Sequence, residues 1–422
     1  MVNKGYKVME RILIVEDNKT LAKLIAKKIK SELKFEVDIA YRLSEAKLFL
    51  KKYTYFITLL DLNLPDAPDG EVVDYVLKEK NRVIVLSANI DKEFRKKILQ
   101  KNIVDYVNKS GVNDINYIIH MLKRLQKNKN HKILVVDDAM MFRKNMKEIL
   151  ENLFFKVYTV AHGEEALKML EVHPDVSLVI ADYNMPVMDG LELTHEIRKI
   201  YNKNDINIVA LSSNEDEEIN ALFLKHGADD YIKKPFSKEE FSCRINNSIE
   251  ALENIHIITN HANRDYLTGL YNRRYFFNDM EPYFEKALKD NENFVVAMID
   301  IDDFKKVNDT YGHEVGDRVI VNLSEILISN TDQHDMVARF GGEEFCIVIK
   351  NTTTDKAVEA LNRIRQAVEE FSMFCENEET LKFTISIGVA VDHENTLNDT
   401  INQADMMLYD AKQNGKNQVI LS

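Results

Sequence analysis

Arg11-Ile-Leu-Ile-Val-Glu-Asp-Asn18 returns later in the chain as Lys132-Ile-Leu-Val-Val-Asp-Asp-Ala139, a short apolar run closed by two acids. The echo extends outward from there. Asp61, closing Phe56-Ile-Thr-Leu-Leu-Asp61, returns as Asp182 in Leu178-Val-Ile-Ala-Asp182, at one common offset (137 − 16 and 182 − 61 are both 121). Further on, Leu86-Ser87 matches Leu211-Ser212, and Tyr106-Val-Asn-Lys109 matches Tyr231-Ile-Lys-Lys234, now at 125 (212 − 87 and 234 − 109), so a small insertion separates the copies. A period this long means two tandem domains and not a solenoid.

Within each copy, short β-branched runs alternate with helical patterns. Leu21, Leu24, Ile25 and Ile29 recur at helical spacing after the first acid pair, as Phe142, Met146, Ile149, Leu150 and Leu153 do after the second. Strands alternating with helices predict a parallel sheet covered on both faces, with chemistry outside the carboxyl ends of the strands. The acid pair, the lone Asp, the Ser and the Lys all fall at such ends. The polar stretch Gln126-Lys-Asn-Lys-Asn-His131 reads as a short linker between the copies. Phe241, Ile245, Ile249 and Leu252 continue a helical pattern toward Asn263 without Pro or Gly, which suits a continuous helix or a flexible tether equally.

Three carboxylates in one crevice are costly unless a cation neutralises them, and hard oxygen ligands suit Mg²⁺. The lone Asp is then placed to attack an activated phosphorus, with the Lys pairing phosphoryl oxygens and the Ser donating a hydrogen bond. Both copies resemble response-regulator receiver domains, over about residues 9–126 and 130–252. The resemblance implies a doubly wound, flavodoxin-like fold. It implies phosphoacceptors Asp61 and Asp182, and one Mg²⁺ per copy at Glu16 and Asp17, or Asp137 and Asp138. It implies switch residues Ser87, Lys109 and Tyr106, and Ser212, Lys234 and Tyr231. It also implies a sensor histidine kinase or phosphotransfer protein as partner. Helix capping by the acid pairs explains one pair tolerably, but not five matched positions in both copies. One departure is that the second copy reads Lys234-Pro235, as the family usually does, where the first reads Lys109-Ser110; Pro there often takes a cis bond.

From about Asn263 the pattern changes. Asp265-Tyr-Leu-Thr-Gly-Leu-Tyr-Asn-Arg-Arg274 leads into a helix with Tyr275, Phe276 and Met280. Phe294-Val-Val-Ala-Met-Ile-Asp300 reads as a buried strand ending in Asp300, Asp302 and Asp303, followed by a helix through Val319, Ile320, Leu323 and Ile326. Met336-Val-Ala-Arg-Phe340 and Phe345-Cys-Ile-Val-Ile349 flank Gly341-Gly-Glu-Glu344, which predicts a hairpin placing Glu343 opposite Asp300. Paired carboxylates of this kind hold metal for phosphoryl transfer, and Gly-Gly lets a triphosphate approach the backbone. Lys412 and Lys416, four apart on one helix face, are positioned to meet the phosphates. An ordinary tight turn would explain Gly-Gly-Glu-Glu standing alone.

These segments, in order and spacing, resemble the GGDEF family of diguanylate cyclases over about residues 257–422. The resemblance implies a polymerase-palm-like (ferredoxin-like) α/β fold, two Mg²⁺ ions, GTP as substrate and cyclic di-GMP as product. It implies metal ligands at Asp300, the Ile301 carbonyl and Glu343, with Glu344 supporting the metal or moving a proton. Asn308 and Asp317 would read the guanine edge, Phe304 and Lys305 would line the triphosphate, and Lys412 and Lys416 would supply positive charge. Each site holds one GTP, so a homodimer is implied, controlled by receiver phosphorylation. Many relatives also carry an inhibitory Arg-x-x-Asp site five residues before the hairpin motif. Here the aligned residues are Asp332-Gln-His-Asp335, and Asp would repel the phosphate that Arg holds.

Composition narrows the remaining classes. The 422 residues are 45% hydrophobic and 30% charged, with net charge −13, a poor balance for nonspecific nucleic-acid binding. No apolar run approaches a membrane span, so no membrane insertion is expected. The opening Met1 to Glu10 does not read as a signal peptide, which predicts a cytoplasmic location. Cys243, Cys346 and Cys375 lack disulfide or zinc spacing and read as reduced thiols. The rival functions are a catalytically silent GTP- or cyclic-di-GMP-binding scaffold, and a phosphorelay adaptor whose last domain only dimerises. A phosphodiesterase is disfavoured, since no segment is left to carry one.

Overall fold

The apolar runs become strands that pair in register. In the first copy, β1 (Arg11–Val15), β2 (Glu36–Ala40), β3 (Ile57–Asp61), β4 (Val83–Ser87) and β5 (Asp105–Asn108) form an all-parallel sheet in the order β2-β1-β3-β4-β5. Helices α1 (Lys19–Glu32), α2 (Leu43–Lys52), α3 (Glu71–Lys78), α4 (Lys92–Leu99) and α5 (Val112–Asn128) alternate with them. β3 and β4 are buried at every position, as central parallel strands covered on both faces must be. The computed structural model describes residues 9–87, 92–109, 112–212, 217–374, 380–391 and 396–422; Ser110 and Cys375 lie outside them.

The second copy repeats the plan. β6 (Lys132–Val136), β7 (Lys156–Val160), β8 (Val176–Asp182), β9 (Asn207–Ser212) and β10 (Asp230–Lys233) give the order β7-β6-β8-β9-β10. Its helices are α6 (Met140–Asn152), α7 (Gly163–Val172), α8 (Gly190–Ile200), α9 (Glu217–Lys225) and α10 (Lys238–Asn263). The N-cap position of the helix after each acid pair falls on the residue beyond the pair: Asn18 in α1, whose side chain accepts from Thr20 N and Leu21 N, and Ala139 in α6, which makes no side-chain cap. The acids therefore do not occupy the cap position.

The segment read as a linker is not a tether. α5 runs through Asn128, whose side chain is fully buried, accepting from Arg124 Nε (2.7 Å) and donating to Leu153 O (3.0 Å) and Asn246 Oδ1 (3.1 Å). One apolar core runs through both copies, and Phe56 of the first stacks on Phe154 of the second at 4.3 Å between ring centroids. Chain contacts accordingly divide the molecule into two units, Met1–Ile255 with both parallel sheets and His256–Ser422.

Within the first unit, Arg124 grips Glu253 of α10 with both Nη atoms (2.8 and 2.6 Å), while His131 Nε2 lies 2.8 Å from the same carboxylate. Burial opposes ionisation of Glu253, but the hydrogen bonds from Arg124 and His131 outweigh it and hold the group down at about 2. A depressed carboxyl stabilises the fold above its unfolded value of roughly 4.3, and that contribution is lost as pH falls toward the folded value. Glu253→Gln should therefore cost about 2 kcal/mol at pH 7, less than the full shift implies because water reaches part of the group. Urea unfolding followed by circular dichroism should show the gap to the parent narrowing by about half at pH 3. A gap independent of pH would rule out this ionic contribution.

The second unit is a mixed sheet. After β11 (Tyr271–Asn272) and α11 (Arg273–Asp290) come β12 (Phe294–Ile301), α12 (Phe304–Tyr311), α13 (His313–Ser329), β13 (Met336–Gly341) and β14 (Glu344–Lys350). Then follow α14 (Thr354–Glu370), the small β15 (Met373–Phe374) and β16 (Thr380–Leu381), β17 (Ile385–Ala390), α15 (Leu397–Gln413) and β18 (Val419–Leu421). The sheet order β11-β13-β14-β12-β17-β18 places β12, buried at all its positions, between two antiparallel neighbours. Apolar side chains of α13 and α14 fill one face, and those of α11 and α15 the other. Among the described residues, no helix is long and apolar enough to cross a membrane.

Candidate functional site

In each parallel sheet the polar residues gather at the carboxyl edge, where strand order reverses. Asp61 and Asp182 end β3 and β8, Ser87 and Ser212 end β4 and β9, and Lys109 and Lys234 follow β5 and β10 directly. Carboxylate oxygens of Glu16, Asp17 and Asp61 lie within 4.8 Å of one another, as do those of Asp137, Asp138 and Asp182. Glu16, Asp61, Asp137 and Asp182 are buried, while Asp17 and Asp138 face solvent. Lys109 Nζ bridges Glu16 (2.6 Å) and Asp61 (2.8 Å); Lys234 Nζ bridges Asp137 and Asp182, each at 2.9 Å.

Burial pushes the Glu16 carboxyl up, with the Asp61 charge adding to it and Lys109 opposing. Burial and then Asp137 do the same to Asp182, against Lys234. Sites that resist ionisation in this way gain from a divalent cation. Ser87 Oγ is buried with no hydrogen-bond partner among the described residues, as a hydroxyl reserved for an added phosphoryl oxygen would be. The donor set thus fits Mg²⁺ in both copies. Tyr106 and Tyr231 are half-buried on β5 and β10. Tyr106, with Arg95, Tyr117, Lys238 and Ser242, lines a cavity of about 620 Å³ between the α4–β5–α5 face and α10. The peptide bond Lys234-Pro235 is cis.

In the second unit, Asp300 is the last residue but one of β12, beside the hairpin of β13 and β14. The hairpin forms as expected, but the register differs: Glu344 is the cross-strand partner of Asp300, and Glu343 sits in the turn. An irregularity between Arg339 and Gly341 leaves only Gly342 and Glu343 between the strands. Burial first, then repulsion by Glu343 and Glu344, push the Asp300 carboxyl up to about 6 against the pull of Lys412. Lys412 Nζ lies 2.6 Å from Asp300 Oδ2. An acid so hindered, with the Ile301 carbonyl next to it in sequence, suits a divalent cation, although Asp300, Glu343 and Glu344 do not bring three carboxylate oxygens within 4.8 Å of one another as the receiver triads do.

Lys416 does not share a helix face with Lys412. α15 ends at Gln413, and Gly415 (φ +112°) carries the chain into a turn in which Lys416 and Asn417 also have positive φ. From there Lys416 Nζ meets Asp303 at 2.8 Å. Phe304 is buried at the start of α12, and Lys305 beside it is exposed. Asn308 lies over Gly316, where a Cβ would stand 1.9 Å from Asn308 Oδ1. Only glycine there leaves the amide room next to the exposed Asp317.

Asp265 and Arg339 lie in the motifs Asp265–Arg274 and Met336–Phe340, and neither carries a role on sequence alone. Arg339 Nη1 donates to Asp265 (2.8 Å), while its Nε and Nη2 donate to Gly342 O (3.0 and 2.8 Å), tying the start of the unit to the hairpin tip. Opposite charges at matched motif positions were the available signal. Of the other thiols, Cys346 is buried and Cys243 exposed, and both are free.

Comparisons with known proteins agree with this geometry. Residues 262–418 match the family described as Diguanylate cyclase, GGDEF domain. Residues 12–122 and 133–246, together more than half of the chain, match Response regulator receiver domain. The chain is 28% identical over 300 residues to Response regulator PleD of Caulobacter vibrioides (strain NA1000 / CB15N), covering 68% of this chain and 65% of that protein. It is 40% identical over 186 residues to Probable diguanylate cyclase DgcT of Escherichia coli (strain K12), covering 43% and 39%. It thus spans just under two thirds of the first relative and well under half of the second. A solved structure of a probable two-component system response regulator/GGDEF domain protein superposes with TM-score 0.52 at 34% identity, over 58% of this chain and 99% of that one. Two receiver domains followed by a GGDEF domain place the chain in the response-regulator family, among its members of the diguanylate cyclase type.

Proposed function

We propose that the chain is a phosphorylation-regulated diguanylate cyclase that joins two GTP into cyclic di-GMP and releases two pyrophosphates. The observation that carries this reading is Asp300, set between Lys412 and the hairpin acids Glu343 and Glu344. In this reading Asn308 and Asp317 hold the guanine edge, Phe304 and Lys305 line the triphosphate, and Lys412 and Lys416 balance its charge. Asp300, the Ile301 carbonyl and Glu343 hold the Mg²⁺ pair, whose chemistry is to polarise phosphate oxygens and favour the ionised 3′-hydroxyl. The 3′-oxygen of each nucleotide bonds to the α-phosphorus of the other, the α–β bridging bond breaks, and pyrophosphate leaves. Glu344 supports the metal or takes the hydroxyl proton. One site holds one GTP, so two copies must face each other.

Regulation runs through the receivers, with domain limits at 9–126, 130–252 and 257–422. Asp61 and Asp182 accept phosphoryl groups from a sensor histidine kinase or phosphotransfer protein, each beside one Mg²⁺. Lys109 and Ser87, or Lys234 and Ser212, contact the phosphoryl group, and Tyr106 or Tyr231 reports it by reorienting. Phosphorylation then shifts the population toward the productive homodimer. The reaction needs neither nucleic acid nor membrane insertion, and we place it in the cytoplasm.

The test is cyclic di-GMP formation from GTP and Mg²⁺, with and without beryllofluoride, in the parent, Asp61→Asn and Asp182→Asn. Beryllofluoride should raise the rate by about tenfold or more, and the Asn variant of the governing receiver should lose that rise. No product from folded, dimeric protein would leave a GTP-binding scaffold instead. Product feedback should also be weak. Both Asp335 oxygens are taken up locally, by Asp332 N (2.9 Å) and Lys350 N (3.1 Å), and Asp332 adds negative charge beside them. Added cyclic di-GMP should therefore leave the initial rate within about twofold; tight inhibition would contradict this.

A further inference from the structure

Of the three acids at the end of β12, Asp300 faces Lys412 and the exposed Asp303 pairs with Lys416, while Asp302 is buried and bonds to neither lysine, its charge only adding to that of Asp303 in raising the Lys416 ammonium. Its Oδ1 accepts from Ser386 Oγ (2.6 Å), and its Oδ2 from Thr384 Oγ1 (2.7 Å) and the backbone N–H of Asn417 (3.0 Å). Its own N–H donates to Thr384 O (2.9 Å). Two hydroxyls and an amide satisfy this carboxylate without any cation. Segments far apart in the chain meet on it: the end of β12, the start of β17, and the turn after α15.

That turn is the one carrying Lys416. Gly415, Lys416 and Asn417 all have positive φ (112°, 64° and 46°), a conformation that Lys does not adopt unless its surroundings impose it. Arg365 and Glu369 hold the Asn417 side chain at 2.8 and 2.9 Å, and Lys416 N donates to Ala411 O at 3.0 Å. The bond to Asp302 fixes the backbone between them.

We propose that Asp302 is a positioning residue that pins the Lys416–Asn417 turn and so sets Lys416 toward the triphosphate. The inference rests on the cyclase reading for what Lys416 meets, but not for the turn itself. Asp302→Ala removes the acceptor of Asn417 N–H, whereas Asp302→Asn keeps it, because the amide oxygen takes the Oδ2 position while its NH2 donates to Ser386 Oγ.

The experiment is a cycle of Asp302→Ala, Lys416→Ala and the double variant in the full chain, with Asp302→Asn as the control that loses the charge and keeps the Asn417 bond. Asp302→Ala should raise KM for GTP by about tenfold with kcat within about threefold, and the double variant should be no more than about twofold worse than Lys416→Ala. Additive losses would overturn the proposal, because a general structural role does not act through Lys416. Thr384→Val and Asp302→Asn both leave the Asn417 bond, so a loss in either that matches Asp302→Ala would also overturn it. Amide hydrogen exchange in the peptide 413–422 is read in parallel and should quicken by about tenfold in Asp302→Ala but not in Asp302→Asn, with the rest of the unit unchanged. If the parent makes no cyclic di-GMP, the same cycle is read on the affinity of a fluorescent GTP analogue. Faster exchange in a chain without turnover sinks the cyclase reading and keeps the pinned turn; unchanged exchange sinks the pinned turn whatever the activity.

Discussion

Glu343→Gln is expected to lower cyclic di-GMP formation by about 10³-fold, with the fold intact. Gln keeps the volume and one acceptor oxygen but removes the charge that a divalent cation requires of its ligands. The variant also separates two explanations of any loss. Glu343 is one of the charges that, after burial, raise the Asp300 carboxyl to about 6. Removing it lowers that value, so Asp300 ionises more readily than in the parent. A loss therefore cannot be assigned to protonation of Asp300. The measurement is kcat at pH 7.5 across a Mg²⁺ titration. Turnover within about tenfold of the parent would remove Glu343 from the metal site.

Gly388→Ala should strongly destabilise the second unit. A Cβ at Gly388 would stand 2.0 Å from Leu408 N and 2.1 Å from Ala404 O, both backbone atoms of α15. No side chain is present there to rotate away, so helix and strand must separate. We expect a loss of about 3 kcal/mol, seen as a lowered unfolding midpoint by circular dichroism. α15 also carries Lys412 to Asp300, and a shift of about 1 Å in a positioned group costs on the order of 10² in rate. An unchanged midpoint with full activity would mean that α15 repacks freely, and the account of its seating would fail.

Much of this was legible because local patterns and global fold agree. An apolar run ending in acids, followed by helical spacing, forces a strand end and a helix start, so Glu16, Asp61, Asp182 and Asp300 could be placed before any coordinates. What escaped depended on pairings with no local signature. Nothing near Arg124 indicates that its partner is Glu253, and the polar stretch at 126–131 reads as exposed because burial of Asn128 needs acceptors from elsewhere. The lysine spacing misled for a different reason: Lys412 and Lys416 suit one helix, but Gly415 takes a backbone angle that ends it. Nor does the hairpin motif reveal its register, since a displacement of one residue exchanges Glu343 and Glu344 opposite Asp300.

Phe56 stacked on Phe154, and the core continuous around them, bear on how such a molecule is inherited. A duplicated gene segment ordinarily yields two copies free to drift apart or be lost. Here each copy supplies part of the other's interior, so deleting either would strip apolar surface from the survivor. Drift in one must then be matched by drift in the other, so both copies are held in the chain by packing that serves neither Asp61 nor Asp182.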